Sequence, residues 1–254
     1  MSNQPRDGAA RGAVFVTTSW DDGHVLDHKL ANLLASYDLP GTFYVATQNV
    51  ELRPRDRVGP YGTRSLAERF EIGAHTRQHL RLPTLSLAAA RQEIVSGKAE
   101  LEDAIGGEVR SFCYPGGSYL PAHVNLVRDA GFTVARTIKR YSTVASPPLE
   151  MPTTVNAYNH LVDGSAVLRT YDYRLRPAFR AFWNWDLLAA ELFDQVLATG
   201  GVFHLWGHSW EVDARRDWDR LERVFAHISR RRGVSYVKNG ELPNIIGDAV
   251  RLAP

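Results

Sequence analysis

Short β-branched and aromatic runs recur along this 254-residue chain, at residues 13–16, 42–46, 70–74, 109–114, 132–136, 202–206 and 234–237. Segments with helical spacing separate them: Leu26, Leu30, Leu33, Leu34 and Tyr37 first, then residues 85–105, 122–130, 186–198 and 217–232. Strand and helix in alternation favour parallel pairing, because a crossover helix returns the chain to the same edge it left. The pattern therefore predicts an α/β fold with a mostly parallel, barrel-like sheet, and a further strand is expected over 151–155. Asp27 is expected to cap the first helix and Ser86 the long one, which Gly106 and Gly107 should end. Residues 48–63 read as a long loop and 65–69 as a short helix. The aromatic, arginine-rich stretch 158–185 has no clean period and reads as packing, with Trp183 or Trp185 as candidates for stacking on a sugar.

Polar motifs follow the apolar runs. Asp21 and Asp22 come after the first run and before Gly23, which permits a sharp turn. Two adjacent carboxylates repel, and partial burial raises their pKa values unless cations or donors compensate. A metal held by one, with the other free as a base, resolves the conflict; an exposed Asp-Asp-Gly turn is the plain alternative. His75 and His79 stand four apart, which on a helical turn would put both imidazoles on one face; many solvated helices carry such pairs without a metal. Pro115-Gly116-Gly117 breaks a strand where backbone N–H groups could serve an oxyanion, or is a plain connecting loop. His204 and His208 share strand parity if Gly207 starts no bulge. His208, beside Gly207 and Ser209, is expected at the rim, and His204, between Phe203 and Leu205, as a core residue. In a parallel barrel, motifs at strand ends become neighbours.

Composition narrows the function. With 44% hydrophobic and 23% charged residues the chain suits one soluble α/β domain, and a formal charge of +2 provides no field for nucleic acid. The lone Cys113 forms no internal disulfide. No run is long enough to span a membrane and the polar N-terminus has no signal-like apolar core, so a cytoplasmic protein without a membrane partner is expected. Residues 1–12 read as a flexible tail and 13–254 as the domain.

Taken together the motifs resemble the polysaccharide deacetylase family, the NodB-homology or carbohydrate esterase family 4 group, over roughly residues 14–237. The resemblance implies a distorted (β/α) TIM-like barrel, single-domain and mostly parallel. It implies Asp21 as base, Asp22, His75 and His79 as metal ligands, the Gly116 N–H as oxyanion donor within Ser111-Phe112-Cys113-Tyr114-Pro115-Gly116-Gly117, and His208 as general acid. Zinc is the expected divalent ion, with cobalt or nickel compatible. The implied reaction is N-deacetylation of an amino-sugar saccharide. The alternatives are an amidase or imidase on a small nitrogenous metabolite, and an inactive glycan-binding barrel. Two positions depart from the family: Trp20 replaces a commoner Phe, and Cys113 replaces the Arg that orients the base in many members.

Overall fold

The computed structural model describes residues 12–144, 146–159 and 163–245. Residues 1–11 of the expected tail and 246–254 of the expected domain lie outside them. The strands are β1 (Val14–Asp22), β2 (Thr42–Val45), β3 (Glu71–Ala74), β4 (Ser111–Cys113), β5 (Val134–Arg136), β6 (Val155–Asn156), β7 (Gly201–Gly207) and β8 (Val234–Tyr236). The helices are α1 (Asp27–Ser36), α2 (Gly59–Ala67), α3 (Leu87–Ile105), α4 (Pro121–Asp129), α5 (Gly164–Thr170), α6 (Leu175–Trp183), α7 (Trp185–Thr199), α8 (Ser209–Ala214) and α9 (Trp218–Ile228).

Every strand pairing is parallel, in the order β5-β4-β3-β2-β1-β7-β6, with β8 on the first residues of β1. Residues 151–156 join the two ends of this path. Met151 bridges Arg136 of β5, and the Thr154 N–H donates to the His204 carbonyl of β7 at 3.0 Å. The result is the expected distorted (β/α) barrel.

Alternation along the strands divides the core. Val14, Val16 and Trp20 of β1, with Phe203 and Leu205 of β7, pack outward against the helices; Phe193 of α7 meets Phe203 edge-on at 5.4 Å. Each such buried side chain contributes about 1.5–3 kcal/mol. Phe15, Val134, Met151, Val202, Val237 and Leu242 form a separate cluster inside the barrel floor. Above that floor the interior is polar. Thr17 and Arg136 both donate to Asn239 Oδ1, at 2.8 and 2.6 Å, and Asn239 Nδ2 donates to the Tyr44 hydroxyl at 3.0 Å.

Local expectations fared unevenly. Ser86 caps α3 through Ala89 N–H, and Gly106 ends it at φ 69°. Asp27 caps nothing: it is the first helical residue, fully buried, and accepts from Ser209 Oγ at 2.5 Å. The second helix starts at Gly59 within the expected loop, because Pro60 fits the first turn of a helix, where its missing N–H costs nothing. The expected helix over 217–232 ends at Ile228, with α8 before it. The stretch 158–185 contains α5 and α6. Trp185 is buried, its indole donating to Asp217 Oδ2 at 3.1 Å, so it has no face for a sugar.

Candidate active site

β1 runs six residues beyond its apolar start and ends on the two carboxylates. In a regular strand Asp21 and Asp22 would point to opposite faces. Asp22 instead adopts φ 86°, followed by Gly23 at φ 72°, and both carboxylates reach the same rim. Glycine is required at 23, since a Cβ there would meet Val45 Cγ1 at 2.8 Å. Left-handed non-glycine residues cost about 1 kcal/mol or more each and cluster where function holds them; Thr76 at φ 60° and His79 at φ 65° are two more.

His75 and His79 do converge, though by a different route from the helical turn that their spacing suggests. Residues 75–81 are loop, and the two left-handed residues bend it until the rings lie 4.8 Å apart, centroid to centroid. Asp22 Oδ1 lies 3.1 Å from His79 Nε2 and 3.8 Å from His75 Nε2. One atom from each residue falls within 4.8 Å of the others. Asp22 Oδ1 is buried and faces both ring nitrogens without a hydrogen bond of good geometry.

The outer contacts fix this orientation. His75 Nδ1 meets the Cys113 carbonyl at 2.7 Å, which puts its proton on Nδ1 and the lone pair on Nε2. His79 Nδ1 lies 3.1 Å from Glu51 Oε2. Trp210 Nε1 donates to Asp22 Oδ2 at 2.8 Å, leaving Oδ1 for the cluster. A second trio, Asp21, His75 and Cys113, is equally compact. It suits a cation less well, because burial holds the Cys113 thiol protonated and His75 Nδ1 is already engaged.

Burial raises the Asp21 pKa to about 6, the positive charge of His208 pulling it back and Asp22 pushing it further up. Its Oδ2 accepts from Cys113 Sγ at 3.3 Å, while Oδ1 is buried with no partner. No guanidinium donates to Asp21 among the described residues. Arg136, opposite Cys113 in the β4–β5 register, donates instead to the Pro152 carbonyl and Asn239. Burial would raise Asp22 too, but the close approach of the His79 ring and the charge of His208 outweigh it and hold the carboxyl well below the usual range. Burial and the neighbouring His79 lower His75 to about 3, so its imidazole is neutral.

His208 follows the last residue of β7 at the rim, and the β1–β7 ladder is regular through Gly207, so no bulge intervenes. Its Nδ1 lies 2.6 Å from Glu211 Oε2 and its Nε2 3.8 Å from Asp22 Oδ2. Burial would lower its pKa, but the hydrogen bond to Glu211 and the charges of Asp22 and Asp21 lift it to about 9. Gly116 sits in the short turn Pro115–Gly117 at φ 57°, and a Cβ there would meet Arg81 Nε at 3.1 Å. His204 is buried one level down, 3.1 Å from Ser19 Oγ.

Sequence reasoning missed Glu51, Trp210 and Glu211. Glu211 had a signal, lying three residues after His208 where a helix begins; Glu51 had none, since it reaches His79 from a separate loop.

A polysaccharide deacetylase family profile matches residues 9–135, half of the chain, which takes in the two carboxylates, both loop histidines and the Pro-Gly-Gly turn. No curated protein matches it in sequence. Among solved structures, a putative polysaccharide deacetylase from Mycobacterium smegmatis aligns with TM-score 0.68 at 17% identity, covering 100% of this chain and 96% of that one. A family 4 carbohydrate esterase from Streptomyces lividans, in complex with acetate, aligns at 0.53 and 16%, covering 89% and 92%. A mutant of the CE4 family pseudoenzyme BA3943 with restored enzymatic activity aligns at 0.57 and 17%, covering 91% and 67%. The match spans only 62% of the length of a Streptococcus pyogenes deacetylase, PplD. At these identities the structures speak for the barrel alone, and the profile match together with the motifs it spans makes this chain a member of the polysaccharide deacetylase family.

Proposed function

We propose that the chain is a metal-dependent hydrolase that removes N-acetyl groups from an amino-sugar saccharide. The observation that carries this reading is the convergence of Asp22 Oδ1, His75 Nε2 and His79 Nε2 at the rim that also holds Asp21 and His208. Two imidazole nitrogens and one buried carboxylate oxygen suit a divalent cation, zinc first, with cobalt or nickel compatible. Bound by these three residues, the cation supplies a Lewis acid for the acetamido carbonyl and acidifies water.

The protein's own groups do the rest. Asp21, through its unpartnered Oδ1, takes the proton from the attacking water, whose oxygen bonds to the acetyl carbon. The Gly116 N–H donates to the oxygen on which charge develops. His208 gives a proton to the nitrogen as the C–N bond breaks, and Glu211 on its other ring nitrogen keeps the imidazolium charged for that step. The products are acetate and a free amine. A base near pKa 6 beside an acid near pKa 9 is the pairing such hydrolysis needs at neutral pH, and it weighs against a barrel that only binds glycans.

Acetate release from N-acetylglucosamine oligomers, measured beside ring opening of small cyclic imides, tests the reading. Acetate from the oligomers and none of the imide reaction is the expected result. The reverse would make the chain an imidase, and inertness towards both after loading with zinc would remove the proposal.

A further inference from the structure

Away from the rim, the surface departs most from ordinary solvated character on α6. Leu175, Phe179 and Trp183 recur every four residues there and are 73%, 67% and 51% exposed, with Tyr173 just before the helix at 66%. A stripe at that spacing normally faces a core. Here the core is served by Ala178 and Ala181 on the opposite side, and the large side chains face outward. An open groove of about 670 Å³ runs between α5 and α6, lined by Val167, Leu168, Leu175, Phe179 and Phe182.

The charge around this patch is predominantly positive. Arg169, Arg174, Arg176 and Arg180 are exposed, and Arg176 and Arg180 line the groove itself. The span Gly164 to Trp183 holds one carboxylate, Asp172. The other ion pairs nearby consume nothing from the patch: Asp163 pairs with Arg140, and Asp186 with Arg223. Four exposed arginines on or beside α5 and α6 thus accompany an apolar stripe of Leu, Phe, Tyr and Trp.

We propose that this face docks on an anionic lipid surface. Aromatic side chains with a polar edge suit the headgroup boundary, and arginines beside them are attracted to anionic lipids. Charge complementarity separates this occupant from a second copy of the chain. A symmetric pairing of the patch with itself would set arginine against arginine with one aspartate per copy to offset them. No span is required, as a nine-residue helix is about 13 Å long and lies in the plane of the interface. The sequence expectation of no membrane partner rests on the absence of a spanning run, and a surface helix needs none; no described helix is long and apolar enough to cross a bilayer.

The test is co-sedimentation of the full chain with vesicles of phosphatidylglycerol and phosphatidylcholine, against vesicles of phosphatidylcholine alone, with solution mass measured in parallel. The expected result is binding to the anionic vesicles only, weakened by salt. Arg176→Glu with Arg180→Glu should lower the partition roughly tenfold or more, and Phe179→Ser with Trp183→Ser should lower it comparably. All four side chains are exposed, so unchanged circular dichroism melts would show that the fold is intact. Absence of binding to anionic vesicles, or equal binding by the parent and both variants, would overturn the proposal. So would a dimeric mass that Phe179→Ser abolishes in a chain that ignores vesicles, which would assign the face to a second copy.

Discussion

Two histidines four residues apart, one within β7 and one just past its end, sit at two levels of one barrel, and their surroundings separate structure from chemistry. At the lower level His204 is buried between Ser19 and the charge of Arg136, and burial pushes its pKa well below the ordinary value. It is neutral, and its neighbours are tied into the interior network of Thr17, Arg136, Asn239 and Tyr44. At the rim His208 is nearly as enclosed, yet Glu211 and the two aspartates turn the same burial into a raised pKa of about 9. Burial alone therefore does not decide a histidine's role; the sign of the charges it is buried among does.

The comparison breaks most visibly at the rim. Asp21→Asn keeps the shape of the carboxylate and cannot accept a proton, so turnover should fall by about 10² to 10⁴. Single-turnover kinetics on the metal-loaded variant would measure it. His208→Ala should cost on the order of 10² in kcat and remove the alkaline limb of the rate profile, since the protonated imidazole is the form that acts. The parent profile should be a bell. Activity rises as Asp21 loses its proton around pH 6 and falls as His208 loses its proton around pH 9. Glu211→Gln removes a charge that raises the His208 pKa, so the alkaline limb should move to lower pH while the acidic limb stays in place. An unmoved alkaline limb would mean that His208 does not depend on Glu211.

The smallest effect on chemistry is expected one level down. His204→Ala should leave kcat and both limbs nearly unchanged while lowering stability by about 1–3 kcal/mol, because Ser19 loses its partner and a polar cavity opens. Urea denaturation of the variant, beside its pH profile, checks both halves. A lost alkaline limb in His204→Ala, retained in His208→Ala, would exchange the two roles.

The lower halves of the strands were legible in the sequence because their residues are apolar on both faces, one towards the helices and one towards the floor cluster of Phe15, Val134 and Val202. The upper half of β1 was not, since Thr17, Ser19 and Asp21 face a polar interior and extend no apolar run. The site residues were legible by type and spacing. Their geometry was not: the convergence of His75 and His79 depends on left-handed Thr76 and His79, a conformation uncommon outside glycine and an outlier for β-branched Thr76. Glu51 and Trp210 reach the cluster from a distant loop and from α8, a relation that only the folded barrel creates. The Cys113 departure acquired meaning in the same way. Its thiol donates to Asp21 where the family resemblance leads one to expect a guanidinium, and burial keeps the base near pKa 6.

The central claim is that Asp22, His75 and His79 hold one divalent cation. Elemental analysis of the purified chain beside His75→Ala and His79→Ala tests it without recourse to any substrate. One equivalent of metal in the parent and little or none in either variant, with unchanged circular dichroism, is the predicted result; full occupancy in both variants would contradict it.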